Sequence, residues 1–336
     1  MIKMCLIGAG RAGMVNARNF EFNIPDTTYT AVVDPDREAA EKSAEELGAS
    51  SYSSFERALE KEEFEAVSIG APTFVHAEAV MKAANAGKDI FCEKPLAITL
   101  KEAEAMEKAI KENGVKFQLG FMRRFDSNYL KAKKLIENGE IGEPILIKSV
   151  GRGPGLPPEW YADINKSNGL LAEVNSHDFD SMRWLMGSDF REVYATADNF
   201  KCSQYEDKYP DFYDTAAVNL KFNNGKLGMV DGCCPATYGY DARTEILGKE
   251  GMLQIGTKKS SSVLIWDKKG HLNQKGVDSW RNLFKEAYLE ETRHFVSCIK
   301  EDKKPKVGIK AGKKAIEVVV AANKSIKENK PVSIKN

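Results

Sequence analysis

His177 is flanked by carboxylates at helical spacing. Glu173 lies four residues before it and Asp180 three after, in Glu173-Val-Asn-Ser-His-Asp-Phe-Asp180. The following Met182, Trp184, Leu185 and Met186 predict a helix here, and in one helix these three positions share a face. An imidazole with an ordinary pKa of about 6.5 beside a carboxylate is the equipment of a general base: the acid orients the ring and favours the imidazolium as a proton arrives. The same pattern also suits a helix face with a satisfied histidine. A metal reading is poorer, because one histidine with a glutamate four residues earlier offers too few ligands; no metal is expected. Lys94, in Phe91-Cys-Glu-Lys-Pro95, stands where a strand ends. An ammonium there would stabilise negative charge developing on an oxygen, and burial could lower its pKa enough to share a proton transfer.

The elements that must position these groups begin at the N-terminus. An apolar strand, Ile2 to Ile7, runs into Gly8-Ala-Gly10-Arg-Ala-Gly13, and a helix from about Ala12 to Phe20 follows; a second strand, Tyr29 to Val33, ends on Asp34. Gly8 permits the tight turn, Gly10 lets the backbone approach a pyrophosphate, Gly13 lets helix and strand pack closely, and the helix N-terminus offers free N–H groups. Asp34 would accept from the adenosine ribose hydroxyls and repel a 2′-phosphate, so NAD is expected over NADP. Arg37 could partly offset that repulsion.

Residues 1 to about 120 continue as alternating strands and helices, which predicts a doubly wound parallel sheet covered on both faces. Thr99-Leu-Lys-Glu102 has the spacing of a capping box. Ligands in such sheets bind beyond the carboxyl ends of the strands, so the glycine turn, Asp34, Ala71-Pro72-Thr73, Glu93 to Pro95 and Gly120 to Arg124 are expected to converge. From Pro144 onward the apolar segments are mostly strand-like, with turns at Asn224-Gly225, Glu250-Gly251 and Lys269-Gly270, predicting an open, mostly antiparallel sheet. Two helices, about 282–300 and 310–328, close the chain. The expected division is a nucleotide-binding domain over 1–122 and a substrate-binding and oligomerisation domain over 123–336.

Oxidation of a secondary alcohol by a nicotinamide needs a base within about 3 Å of the hydroxyl. His177 is the natural acceptor, with Glu173 or Asp180 orienting it, and Lys94 would hold the nascent alkoxide charge.

The motifs Gly8-Ala-Gly-Arg-Ala-Gly13, Ala71-Pro-Thr-Phe-Val-His76, Phe91-Cys-Glu-Lys-Pro95, Gly120-Phe-Met-Arg-Arg-Phe-Asp126, Gly139-Glu-Ile-Gly-Glu-Pro144 and Asn168 to Asp180 together resemble the Gfo/Idh/MocA oxidoreductases, and Phe121 to Asp126 with Pro157-Pro-Glu-Trp-Tyr161 resemble their inositol dehydrogenase branch. The resemblance implies a Rossmann domain, a second α+β domain with a large antiparallel sheet, and oxidation or reduction of polyols or sugars with NAD(P). It places the catalytic lysine on Lys94 and an Asp-x-x-x-His pair on Glu173 and His177, with glutamate where that branch usually has aspartate. The cofactor is then expected against Gly8, Gly10, Arg11, Ala12, Gly13, Asp34, Arg37, Ala71, Pro72, Thr73, His76, Glu93 and Lys94. The substrate is expected against Lys94, Met122, Arg123, Arg124, Glu173 and His177, with one of the two arginines structural. Dimers or tetramers are expected by the same analogy. A relative that uses NAD transiently in a glycosidase or lyase reaction, and a non-catalytic NAD sensor, are the alternatives.

The bulk properties agree with a soluble enzyme. In 336 residues, 49 basic and 49 acidic side chains cancel, leaving no net field for nucleic acid or anionic membrane. No apolar run approaches the ~20 residues of a membrane span and the chain opens directly on a strand, so a cytoplasmic location is expected. The six cysteines show no C-x-x-C spacing and are expected as reduced, buried thiols.

Overall fold

The computed structural model describes residues 1–269 and 272–334; the turn expected at Lys269-Gly270 falls on Gly270, outside the described residues. The chain divides into two compact units, one of residues 1–125 and 286–316, the other of 126–285 and 317–336.

The first unit alternates strictly: β1 (Ile2–Ile7), α1 (Arg11–Asn23), β2 (Thr27–Val33), α2 (Arg37–Leu47), β3 (Ser50–Tyr52), α3 (Phe55–Lys61), β4 (Ala66–Ile69), α4 (Thr73–Asn85), β5 (Asp89–Glu93), α5 (Leu100–Asn113) and β6 (Phe117–Gly120). All the pairings are parallel, in the order β3-β2-β1-β4-β5-β6. Strands buried on both faces are largely apolar, as Met4 to Leu6 and Ile90 to Cys92 are; the one polar residue of β4, Ser68, is paired with the Tyr29 hydroxyl at 2.7 Å. Local chemistry sets the helix ends. Asp36 accepts from the N–H groups of Glu38 and Ala39 at the start of α2, and Thr99 and Glu102 form the expected capping box on α5.

The second unit holds α6 (Ser127–Glu137), β7 (Pro144–Arg152), α7 (Glu159–Ala162), α8 (Ile164–Ser167), α9 (Gly169–Glu173), α10 (Ser176–Met186), β8 (Phe190–Asp198), β9 (Thr215–Phe222), β10 (Leu227–Cys233), β11 (Asp241–Gly248), β12 (Met252–Ile255), β13 (Ile265–Trp266), β14 (Leu272–Asn273) and α11 (Trp280–Leu283). Three elements close the chain: α12 (Lys285–Lys300), α13 (Ile309–Glu328) and β15 (Val332–Ser333). Seven strands form a mixed sheet in the order β12-β11-β7-β10-β9-β8-β15, antiparallel except where β7 runs parallel to β10. Alternation along its strands leaves one face in the core and the other in solvent. On the solvent face Leu227, Leu247 and Met252 are exposed, and pairing through Leu146 places them in one row across four strands.

Two features depart from the sequence reading. Residues 286–316 belong to the first unit, because α12 seats Phe295 edge-on against Phe91 of β5 and Phe20 of α1. The predicted helix over 282–300 is also broken, with Phe284 between α11 and α12 outside helical geometry.

Candidate functional site in a dinucleotide-binding fold

The glycine turn is built by collision. Gly8 has φ +92°, and a Cβ there would fall 2.6 Å from the Cα of Ala71; Cβ atoms on Gly13 and Gly70 would likewise strike each other's backbone or that of Gly8. Strand β1, helix α1 and the end of β4 therefore meet backbone to backbone, which only glycine permits. Gly10 differs, since its Cβ would meet nothing within 4 Å. It precedes α1, which has no side-chain cap, and with Gly10 and Arg11 exposed and Ala12 half-buried the positive end of that helix lies at the surface. These residues fit a pyrophosphate.

Asp34 follows β2 with one carboxylate oxygen accepting from Ala9 N–H at 2.8 Å and the other from Asp36 N–H at 2.9 Å. The acid is thus fixed beside the glycine turn, each oxygen keeping a lone pair for a ribose hydroxyl. Arg37 does not complement it: its side chain is exposed and bonds Glu41 one turn along α2, at 2.7 Å.

The loops after β4 and β5 carry Ala71-Pro72-Thr73 and Lys94. His76 on α4 ties them together, Nε2 lying 2.8 Å from the Ala71 carbonyl and Nδ1 2.7 Å from that of Pro95. Both ring nitrogens face backbone carbonyls and the residue is buried. His76 therefore braces the two loops. Burial holds its pKa below the ordinary histidine value. Glu93, also buried, accepts from Asn16 Nδ2 at 2.5 Å and from the Lys94 N–H at 3.2 Å. Met122 and Arg123 are each 1% exposed while Arg124 is half-buried.

In the second unit Glu173 ends α9, and Val174 and Asn175 separate it from α10, which begins at Ser176. Glu173 and His177 therefore do not share one continuous helix, contrary to the spacing argument. The residue after His177 is anchored in the core. Asp178, fully buried, accepts from Ser149 Oγ at 2.6 Å and from Asn175 Nδ2 at 2.8 Å. Ser149 continues to Thr244 and Thr244 to the Tyr129 hydroxyl. Gly151 on β7 and Gly232 on β10 make room, since a Cβ at either would strike Asp178 or Asn175. His177 and Asp180 are buried on the same helix. Sequence reasoning missed Asp178 and Asn175, although isolated glycines inside two strand patterns were the signal of a close approach.

Among the described residues no group of His, Cys, Asp or Glu is arranged to hold a metal ion, and no helix is long and apolar enough to cross a membrane.

A parallel sheet of this strand order, with a phosphate-ready glycine turn and an acid at the end of β2, coupled to a unit with an open mixed sheet, defines the class of two-unit dinucleotide-dependent oxidoreductases. Residues 2–121 match the oxidoreductase family's NAD-binding Rossmann fold, and residues 133–334 match its C-terminal alpha/beta domain. The chain belongs to the Gfo/Idh/MocA oxidoreductase family. It is 35% identical to the scyllo-inositol 2-dehydrogenase (NAD(+)) of Bacillus subtilis, over 99% of this chain and 96% of that one. It is 33% identical to the myo-inositol 2-dehydrogenase of Thermotoga maritima, over 99% and 98%. The crystal structure of scyllo-inositol dehydrogenase from Lactobacillus casei with bound NAD(H) and scyllo-inositol superposes with a TM-score of 0.91 at 27% identity, covering 99% of both chains.

Proposed function

We propose that the protein is an NAD-dependent dehydrogenase acting on a secondary hydroxyl of an inositol-like polyol. The observation that carries this reading is full-length similarity to inositol 2-dehydrogenases, in a chain whose own glycine turn and Asp34 fit the dinucleotide. Bound NAD supplies the hydride acceptor. The chain's residues supply the proton chemistry: His177 accepts the hydroxyl proton, and Lys94 stabilises the oxygen as its charge develops. Glu173 is assigned to orient His177, and Arg124 to bind substrate hydroxyls. Asp34 selects NAD over NADP, and the paired, solvent-facing Arg37 does nothing to offset it.

Two further assignments belong to this reading. The row of Leu227, Leu247 and Met252 on the solvent face of the second sheet supports a homodimer or homotetramer. The workplace is assigned to the cytoplasm, where the cofactor pool lies and where buried thiols such as Cys5 and Cys92 stay reduced.

The test is a panel of inositols, aldoses and sugar acids offered to the purified protein with NAD or NADP. NADH absorbance should rise with at least one inositol, and kcat/KM should favour NAD. A substrate consumed while absorbance stays flat would replace the reading with transient cofactor use, and an NADP preference would overturn the assignment of Asp34.

A further inference from the structure

Helices α1 and α12 lie together on one face of β5, and their contacts fall into two layers. In the first, Phe20, Phe91 and Phe295 meet edge to face with ring centroids 5.5 to 6.1 Å apart. One turn back along both helices and two residues on along the strand, the same face becomes polar: Asn16, Glu93 and Glu291. The neighbouring strand contributes Gln118, which pairs with Phe91 and donates to the Glu291 main-chain carbonyl at 2.7 Å, and Gly120, which pairs with Glu93 and leaves room for its carboxylate.

This polar layer is short of donors. Glu93 has two, from Asn16 and the Lys94 N–H. Asn16 Oδ1, Gln118 Oε1 and both carboxyl oxygens of Glu291 have no hydrogen-bond partner in the protein, and Glu291 is 0% exposed. Buried acceptors without donors are costly, and an unpaired buried carboxylate more so. Nothing in the catalytic reading uses Glu291.

We propose that Glu291 is held as a neutral carboxylic acid whose proton supplies the missing donor, so that Glu93 and Glu291 form a buried pair carrying one proton and one negative charge behind Lys94. Glu93 keeps the charge because it has the donors and faces Lys94, while Asn16, Gln118 and Gly120 on the packed elements bring no charge. Burial pushes the Glu291 carboxyl well above the usual range, and the Glu93 charge adds to that. Burial also raises Glu93, against the opposing pull of Lys94, Asn16 and the Lys94 N–H. Glu291 is thus a positioning residue, fixing the carboxylate on which the Lys94 loop rests.

The pair is testable without turnover. Infrared spectra of the wild-type protein at neutral pH should show the carbonyl stretch of a protonated, buried carboxylic acid, lost in Glu291→Gln and shifted but present in Glu291→Asp. The stability signature has a definite sign. A carboxyl raised on folding contributes stability that is present below its unfolded pKa and lost as pH rises through the folded one. Because glutamine has no proton to lose, the folding constant of Glu291→Gln relative to wild type should climb with pH, by up to about tenfold per unit above the ordinary carboxyl range. Absence of the acid band from the wild type at neutral pH, its survival unchanged in Glu291→Gln, or melting curves that run parallel across pH would overturn the proposal. Should Glu291→Gln fail to fold, the wild-type band and its loss on alkaline titration decide the matter alone.

Discussion

Lys94 and His177 carry the proposed chemistry, and their substitution should affect turnover more than cofactor binding. Lys94→Met and His177→Asn are each expected to lower kcat by roughly 10²–10⁴-fold, the usual contribution of a positioned acid or base. NADH fluorescence titration should show Kd changed far less. Losses confined to KM would move either residue from chemistry to binding. Asp34 acts on a different quantity. Asp34→Ser removes the charge that repels a 2′-phosphate while leaving a hydroxyl near Ala9 N–H, so the ratio of kcat/KM for NAD over NADP should fall by tenfold or more, on the order of 1.4 kcal/mol.

Helix α10 shows how an element is placed by atoms that do no chemistry. Its first turn is pinned to β7 through Asp178, with Ser149 and Asn175 as donors and glycines beneath. Asp178→Ala would remove the buried acceptor shared by Ser149 and Asn175 and should cost about 1–3 kcal/mol in chemical denaturation. Kcat should fall with it, because His177 is the preceding residue. Local patterns made much of this architecture legible beforehand. The glycine turn and the Thr99 capping box are short-range signals, and each stands where the spacing predicts. The features that escaped depend on long-range partners. The break at Val174 and Asn175 follows from Asn175 reaching Gly151 and Asp178, not from any helix-breaking residue. The parallel β7–β10 pairing leaves the same period-two pattern as an antiparallel one. Glu291 looks on paper like any charged residue of an amphipathic helix, and only its complete burial shows otherwise.

For the molecule as a whole, the open sheet of the second unit makes the most direct prediction. A row of Leu227, Leu247 and Met252 across four strands is more apolar than a solvated sheet face needs to be. If the proposed homo-oligomer forms through this face, placing a charge in that row should break it. The double variant Leu227→Glu, Leu247→Glu is expected to have a smaller mass than the wild type by light scattering while its circular dichroism is unchanged. An identical mass for both proteins would remove that face from the assembly.

The late return of residues 286–316 to the first unit matters while the chain is being made. Strands β1 to β6 leave the ribosome long before α12 exists, and at about 5–20 residues per second the interval is roughly 8–30 s. Throughout it, Phe20 and Phe91 lack the ring of Phe295 that covers them in the finished protein. The nascent half-molecule therefore leaves those two rings without their cover until translation is nearly complete.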